Sequence, residues 1–237
     1  MTITRETASA ADLATLAAGF PDPTADAQAT FRLVLDAMAR PGRIMTVGAV
    51  PGHDRPLSRA ACTVMLALAD HDTAVWLDRA AAPALPYLRF HTGATVAGTP
   101  DRAAFAVIGD AMAMPALDRF ALGSDAYPDR STTLVIEVDG LSGGGLSGGG
   151  LSGGGLSGEG LSGGQDGRDV AWRLDGPGID GSRLLRVTGL PAGFVVARAA
   201  LAPLYPRGVD IVLTCGERLA ALPRTTRITT TSLTQEG

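Results

Sequence analysis

The sequence predicts an α/β fold with a mixed sheet, and two observations support this prediction. Helix-like and strand-like hydrophobic segments alternate along the 237 residues, a pattern typical of domains that cover a sheet with helices. Near the middle of the chain, strand-like segments follow one another with turn signals between them, which indicates antiparallel pairing. Hydrophobic residues make up 46% of the chain, enough for a sizeable core.

The first predicted helix covers residues 22–40. Asp22 is a capping residue, Pro23 suits the first helical position, and Pro41-Gly42 ends the helix. One face carries apolar residues at i, i+3, i+4 and i+7, which we expect to be buried: Phe31, Val34, Leu35 and Met38.

The remaining elements follow from local periodicity. Residues 60–69 are apolar nearly all round and predict a buried helix, and residues 193–204 predict another. Core strands are expected over residues 75–77, 104–108 and 209–214. Alternating strands over 132–138, 170–174 and 184–187 are expected to pair as antiparallel hairpins. The Thr-rich tail from Arg224 onward is expected to end in disorder.

A low-complexity insert repeats Leu-Ser-Gly-Gly-Gly with a period of five between Leu141 and Gly164. We interpret the chain as a single domain, 1–237, interrupted by a flexible Gly/Ser/Leu loop at 140–166. Gly fills the positions where packing residues would be needed, so a pentapeptide-repeat helix is the less favoured alternative. Deleting residues 141–164 is therefore expected to leave the fold intact.

Composition narrows the classes of function. A net charge of −4 and a pI of about 5.3 argue against a nucleic-acid binder, which would carry a basic surplus. No secretory signal opens the chain, and no apolar run is long enough to span a bilayer, so no membrane role and a cytoplasmic location are expected. Cys62 and Cys215 each adjoin an apolar run and are interpreted as buried thiols. A disulfide between them stays open.

The chain contains no lysine, since all 20 of its Lys and Arg residues are arginine. No ε-amino group can form an internal Schiff base with pyridoxal phosphate or a carbonyl substrate. A phosphate-binding loop of the lysine-containing type is absent for the same reason. A coding bias toward arginine explains this composition most simply. Binding of phosphate or carboxylate by guanidinium groups is a compatible alternative.

The histidines His53, His71 and His91 are isolated from one another and from the cysteines, so no metal site is predicted. His91 is the best candidate for acid–base chemistry, although a hydrogen-bonded structural histidine is the commoner case. No G-x-S-x-G elbow is present, and no G-x-G-x-x-G opens a helix outside the repeat. Serine hydrolase and dinucleotide-binding functions therefore lack support.

Several arginines stand beside turn residues, where loop backbone can hold a fork-shaped donor at a strand or helix end. We interpret them first as tying loops to carboxylates or lining a subunit interface. Binding of an anion at strand ends is the less favoured alternative. Including His91, the candidate anion-binding or interface residues are Arg43, His91, Arg130, Arg207, Asp210, Arg224 and Thr225.

Several short segments are spread over nearly the whole chain outside the repeat. They are Gly19-Phe20-Pro21-Asp22-Pro23, Gln28 with Phe31-Arg32, Ala37-Met38-Ala39-Arg40-Pro41-Gly42, Phe90-His91-Thr92-Gly93, Tyr127-Pro128-Asp129-Arg130-Ser131-Thr132-Thr133-Leu134, Gly176-Pro177-Gly178-Ile179, Tyr205-Pro206-Arg207-Gly208-Val209-Asp210 and Leu222-Pro223-Arg224-Thr225-Thr226. As an ordered set, these segments resemble the PhnH family of the bacterial carbon–phosphorus lyase system.

The resemblance implies a three-layer sandwich similar to the large domain of pyridoxal-phosphate-dependent aminotransferases, with a mixed sheet between helical layers and without the cofactor. It implies a homodimer that joins PhnG, PhnI and PhnJ in a core complex. That complex makes α-D-ribose 1-methylphosphonate 5-triphosphate from ATP and an alkylphosphonate, releasing adenine. The resemblance assigns the catalytic step to PhnI, so no catalytic residue and no cofactor are expected in this chain.

Two other functions remain open at this point. One is a phosphate- or nucleotide-binding module that holds ATP or product on the loop arginines. The other is an independent enzyme that uses His91 with a neighbouring carboxylate.

Overall fold

A computed structural model describes residues 17–48, 57–144 and 170–231. Within these ranges the helices are α1 (Pro23–Ala39), α2 (Arg59–Leu68), α3 (Leu85–Thr92) and α4 (Phe194–Leu201). The strands are β1 (Met45–Thr46), β2 (Ala74–Leu77), β3 (Thr95–Val96), β4 (Phe105–Ile108), β5 (Thr133–Glu137), β6 (Gly140–Gly144), β7 (Val170–Asp175), β8 (Arg183–Thr188), β9 (Asp210–Cys215), β10 (Arg218–Leu222) and β11 (Arg227–Thr231). No helix in the described part of the chain is long and apolar enough to cross a membrane.

The larger sheet has seven strands in the order β1-β10-β9-β5-β4-β2-β3. Strands β3, β2, β4, β5 and β9 run parallel to one another. Strands β10 and β1 continue the sheet with antiparallel pairing. The predicted mixed sheet of an α/β protein is therefore confirmed.

A smaller sheet has four antiparallel strands in the order β11-β7-β8-β6. Its inner face carries buried apolar side chains at every second position of β7 and β8: Trp172, Leu174, Leu185 and Val187. The intervening Arg173 and Arg186 are exposed. This alternation is what an antiparallel sheet with one solvated face requires.

The two faces of the larger sheet pack against different layers. One hydrophobic core joins α1, α2 and α3 to side chains such as Val107, Val135 and Val212. The other core joins Ile136 and Ile211 to the inner face of the smaller sheet and to α4. The expectation of helices covering both faces is therefore wrong for the second face, where the smaller sheet does much of the covering.

Strand β5 lies at the centre of the larger sheet, parallel to both β4 and β9. The expected hairpin with β7 is therefore wrong, although β7 and β8 do pair with each other. Leu134, Val135 and Ile136 are all fully buried, so both faces of β5 are covered. Two-sided burial is typical of a central parallel strand and explains the position.

Helix α1 begins and ends where predicted, but its buried face is shifted. The carboxylate of Asp22 caps the helix by accepting the N–H groups of Thr24 and Ala25. The buried residues are Thr30, Val34 and Ala37. Phe31 and Leu35, which were expected inside, are 53% and 58% exposed. The helix turns small residues toward the core instead, which allows a close approach to its neighbours.

The repeat begins as a strand and not as a loop. Residues Gly140–Gly144 form β6, paired with β8 from Gly140 opposite Thr188 to Gly144 opposite Leu184. Leu141 is 1% exposed in the second core. The flexible-loop interpretation is wrong for these residues, and deleting residues 141–164 would remove most of a paired strand. Residues 145–169 lie outside the described part of the chain.

The C-terminal segment contains a strand that the sequence analysis did not predict, and the end of the tail, where disorder is expected, lies outside the described residues. Residues Arg227–Thr231 form β11, which pairs with β7 from Arg227 opposite Asp175 to Thr231 opposite Ala171. The β-branched Ile228 and three threonines suit a strand. The final residues, 232–237, lie outside the described ranges.

Candidate functional site

Arg224 joins three of the segments that carry the family resemblance. Its Nη2 donates to Asp210 Oδ2 at 2.5 Å and its Nε to Oδ1 at 3.3 Å. Nη1 donates to the carbonyl oxygens of Pro128 and Pro206 at 2.9 and 3.0 Å. Nη2 also donates to Ser131 Oγ at 2.6 Å. One side chain therefore fixes loops that are far apart in sequence.

These five hydrogen bonds match the five N–H donors of a guanidinium group. The side chains of Arg224 and Asp210 are only 17% and 23% exposed, so the charge pair is screened weakly by solvent. In this conformation Arg224 has no donor left for a bound anion. The geometry favours the alternative in which the arginine ties loops to a carboxylate.

Two further candidate arginines flank this junction without entering it. Arg130 places its guanidinium 4.2 Å from the ring centroid of Tyr127, an exposed cation–π contact. The Nε of Arg207 lies 3.3 Å from Asp125 Oδ1, an ion pair that does not meet the geometry of a hydrogen bond. Both contacts stabilise the loops around Arg224.

The junction lies at the amino ends of the parallel strands. Asp210 is the first residue of β9 and is paired with Thr133, the first residue of β5. Ligands of open α/β sheets usually bind at the carboxyl ends. The expectation that these arginines mark a ligand site at such an edge is therefore not supported by their position.

At the carboxyl ends of the strands, a different residue holds the loops, one that the sequence reasoning missed. Asp78 follows β2, and its Oδ2 accepts the N–H groups of Gly109 and Asp110 at 3.0 and 2.9 Å, just beyond β4. Its Oδ1 accepts the N–H of Ala81 at 2.7 Å. The available signal was an aspartate directly after a buried strand. Through these three backbone hydrogen bonds, Asp78 holds together the loops that follow β2 and β4.

A second junction joins the segment after α1 to the turn after β7. Gly178 has a φ of +81°, and a Cβ there would lie 2.1 Å from the carbonyl oxygen of Ala39. Gly42 has a φ of +73°, and its Cβ would lie 2.3 Å from Leu174 Cδ1. Only glycine satisfies both the backbone conformation and the close approach. Arg183 adds hydrogen bonds from Nη1 to the carbonyls of residues 40 and 41.

Arg43 lies beside this second junction and away from Arg224's hydrogen-bond partners. Its side chain is 51% exposed, and Nη1 is 3.8 Å from Asp36 Oδ2. Asp36 also pairs with Arg40 on the same helix, as the i, i+4 spacing predicts. Arg43 is therefore a surface residue with one long ion pair.

His91 forms a third junction, on the helical side of the larger sheet. Its Nε2 lies 3.0 Å from the carbonyl oxygen of Ala17, and its ring packs edge-on against Tyr87 and Phe90. The histidine thereby connects α3 to the segment that precedes α1. These contacts favour the structural alternative for His91 over acid–base chemistry.

Beside the Arg224 junction, an open cleft of about 690 Å³ lies between α4 and β11. Thr225, a predicted candidate, lines it together with Arg224. Arg198 of α4 also lines the cleft, and burial lowers the pKa of its guanidinium to about 10. The group stays charged at neutral pH. Sequence reasoning missed Arg198 because it stands within an apolar helical segment without a turn residue beside it.

A partly buried carboxyl group lies at the carboxyl end of β5. Glu137 Oε1 accepts the backbone N–H of Ser58, the N-cap of α2, at 2.5 Å. Burial raises the pKa of Glu137. Burial, helped by the nearby Glu137 charge, also raises the pKa of Cys62 to about 12. Cys62 is therefore protonated at neutral pH and suits a packing role.

Cys62 and Cys215 are both free thiols, so the open disulfide alternative is wrong in this structure. Among the described residues, no group of three or more His, Cys, Asp or Glu side chains could hold a metal ion.

The fold and these contacts define a class of mixed α/β proteins. Their signature segments contact one another across the chain and stabilise it, next to a cleft lined by arginines. The family described as "Bacterial phosphonate metabolism protein (PhnH)" matches residues 18–229. The chain belongs to this family.

Two relatives are similar to this chain, one over most of its length and one over a short segment. The chain is 40% identical over 211 residues to "Alpha-D-ribose 1-methylphosphonate 5-triphosphate synthase subunit PhnH" of Rhizobium meliloti (strain 1021), covering 88% of this chain and 93% of the relative. It is 43% identical over 56 residues to "Putative C-P lyase subunit protein HtxG" of Stutzerimonas stutzeri, covering 24% of this chain and 29% of the relative.

Proposed function

We propose that this chain is a subunit of the carbon–phosphorus lyase complex of organic phosphonate catabolism. In that complex it supports synthesis of α-D-ribose 1-methylphosphonate 5-triphosphate from ATP and an alkylphosphonate. The observation that carries the proposal is the 40% identity, over 88% of this chain, to a protein named as a subunit of that synthase.

The contacts of the signature residues support a role without catalysis. Arg224 uses its donors on Asp210 and on loop oxygens, and His91 contacts a backbone carbonyl. These residues stabilise the fold, so the chain acts through the surfaces that the fold presents. A lysine nucleophile is ruled out by the composition.

The finer parts of the proposal rest on the family resemblance. We propose a cytoplasmic homodimer that assembles with PhnG, PhnI and PhnJ, and one domain that extends over residues 1–237. We also propose that the scaffold is related to the large domain of aminotransferases, with its cofactor function lost. Among the candidate residues, the exposed Arg43 and Arg130 are the ones proposed for a subunit interface.

Co-expression tests the assembly. A tagged copy of this chain is produced together with the other three subunits and purified through the tag. We expect all four proteins to elute as one species in size-exclusion chromatography, with two copies of this chain per particle by mass measurement. Elution of this chain alone, under conditions where the other three assemble, would contradict the proposal.

Turnover tests the absence of catalysis. The isolated chain is incubated with ATP and methylphosphonate, and adenine release is followed by chromatography. We expect release only when the partner subunits are added. Release by the isolated chain that is lost in His91→Ala would favour the independent enzyme instead.

A further inference from the structure

We propose that the cleft between α4 and β11 binds a small organic phosphate or phosphonate, with the oxyanion on Arg198 and the organic part against the cleft wall. This site belongs to the chain itself and does not depend on membership of a complex. It differs from the loop-arginine site considered for the sequence, because its central cation is on a helix.

Arg198 is a buried cation with unused donors. It is 7% exposed and lines the cleft. Its Nη2 donates to the carbonyl oxygens of Leu222, Pro223 and Thr226. Within the described ranges, Nε is buried without a partner and Nη1 makes no hydrogen bond to another residue. Nε has no solvent-accessible surface, so Nη1 is the donor that remains for an oxyanion in the cleft. Unused donors on a buried charge are costly, and such an oxyanion would pair with this end of the guanidinium.

Hydroxyl groups in the same wall supply further donors. The Oγ1 of Thr226 is not among them, because it is buried away from the cleft. Thr225 and Thr229 add hydroxyl groups to the lining. A phosphoryl group has three oxygens to share among several donors, whereas a carboxylate has two. The donor set therefore favours a phosphate or phosphonate head.

The charge of the lining has the sign that an anion requires. Among the described residues, three arginines and no acidic residue line the cleft. Arg224 is neutralised by Asp210. Arg227 is 79% exposed and lies 3.6 Å from Asp175, a contact that solvent screens. Asp210 interacts electrostatically with Arg198 but forms its ion pair with Arg224, so the Arg198 charge is only partly balanced within the described ranges.

The rest of the cleft suits an organic body. Val195, Ala199, Ala202 and Ile228 form apolar walls, and the ring of Tyr205, which is 67% exposed, stands at the edge. A volume of about 690 Å³ falls in the range of small-molecule sites and exceeds what inorganic phosphate would fill. The cleft therefore has room for an organic group up to the size of a nucleoside.

Calorimetric titration of the full chain tests the site. The probes are adenosine monophosphate, ethylphosphonate, adenosine and butyrate. We expect saturable binding of the first two that weakens as salt rises, and binding at least about tenfold weaker for adenosine and butyrate. Absence of saturable binding by both adenosine monophosphate and ethylphosphonate would overturn the proposal.

Two helix variants locate the binding. Ala199→Phe places a large ring in the cleft without replacing the guanidinium, whereas Ala200→Phe places it at an exposed position outside the lining. We expect adenosine monophosphate to bind at least about tenfold more weakly to the first variant and within about twofold of the parent to the second. Equal binding by both variants would overturn the assignment to this cleft. Circular dichroism melts confirm that each variant is folded.

Thr225→Val tests a lining hydroxyl with little change of shape. We expect several-fold weaker binding of adenosine monophosphate with an unchanged melting temperature, and unchanged binding would contradict the proposed donor set. If the titrations show no binding but the four subunits still assemble, only the cleft site is contradicted. If the subunits do not assemble but the cleft still binds its ligand, only the proposed function is contradicted.

Discussion

Two arginines with opposite surroundings illustrate what single residues contribute here. Arg224 uses all of its donors on a carboxylate, two carbonyls and a hydroxyl. Arg198 is more deeply buried, yet it uses only Nη2 on described residues. The first therefore stabilises the fold, while the second retains capacity for a ligand.

Arg224→Lys should destabilise the protein, because an ammonium group cannot reach acceptors that lie in so many different directions. We expect the free energy of unfolding to fall by about 2–4 kcal/mol in urea denaturation. Arg43→Lys is the matched control, since Arg43 is half exposed with one long ion pair. This control should change the free energy of unfolding by less than about 0.5 kcal/mol. Equal effects of the two substitutions would contradict the role given to Arg224.

The two cysteines should differ in reactivity. Cys62 is buried with a pKa of about 12, whereas Cys215 is partly exposed. Because the thiolate is the reacting form, iodoacetamide at about pH 8 should label Cys215 in the native protein and both cysteines after unfolding. Peptide mass spectrometry measures the labelling. Native labelling of Cys62 at the rate of Cys215 would show that the helix packing is wrong.

Glu137 should make stability depend on pH. Its folded-state pKa is raised above the ordinary value of 4.5, so the native state holds its proton over a range where the unfolded state has lost it. Its contribution to stability is therefore greatest below pH 4.5 and falls as the pH rises through the folded-state pKa. Glu137→Gln should reduce this decline in thermal melts between about pH 4 and 8. Parallel melting profiles for both proteins would contradict the assignment.

Sequence reasoning found the residues of the loop junctions because proline and glycine mark them. Arg130, Arg207 and Arg224 each lie within two positions of such a residue. It did not find which of them meet, because Arg224 and Pro128 are 96 positions apart. Arg198 and Asp78 carry no local signal beyond their own charge, and their roles come from the elements that fold around them.

At the scale of elements, the alternation of apolar and polar residues identified strands but did not identify which strands pair with each other. The alternating segments at β7 and β8 do pair, whereas β5 belongs to the other sheet. The strand β11 was missed because a run of threonines also suits a disordered tail, and only pairing with β7 distinguishes the two. The glycine-rich β6 was missed because its single apolar residue, Leu141, gives no detectable alternation.

Leu141→Ala tests whether β6 belongs to the core. Leu141 is 1% exposed, so removing its side chain should lower the free energy of unfolding by about 2–4 kcal/mol in urea denaturation. Ser142→Ala, at an exposed position of the same strand, is the control and should change it by less than about 0.5 kcal/mol. If Leu141→Ala leaves the free energy of unfolding unchanged, β6 does not contribute to the core.

At the scale of the whole molecule, the composition forbids one reaction whatever the fold resembles. Pyridoxal phosphate should form no imine with an internal side chain, because the chain has no lysine. Borohydride reduction followed by peptide mass spectrometry measures this directly. A stoichiometric adduct anywhere except the N-terminal amine would contradict the prediction.

The layered arrangement could be predicted only in part. Buried helical segments and apolar strands indicated a sheet covered by helices, and α1, α2 and α3 do cover one face. The other face is packed against the smaller sheet, and no local pattern distinguishes strands of one sheet from strands of two. That distinction depends on long-range pairing.

Strand β6 lies in the first unit of a tandem array, and this placement has a genetic consequence. Units starting at Leu141, Leu146 and Leu151 have the same five letters, so loss of one unit through replication slippage would leave Gly140 followed by the same Leu-Ser-Gly-Gly. A gained unit would likewise preserve those letters. A change in the copy number of the array would therefore leave the amino-acid letters of the paired segment unchanged.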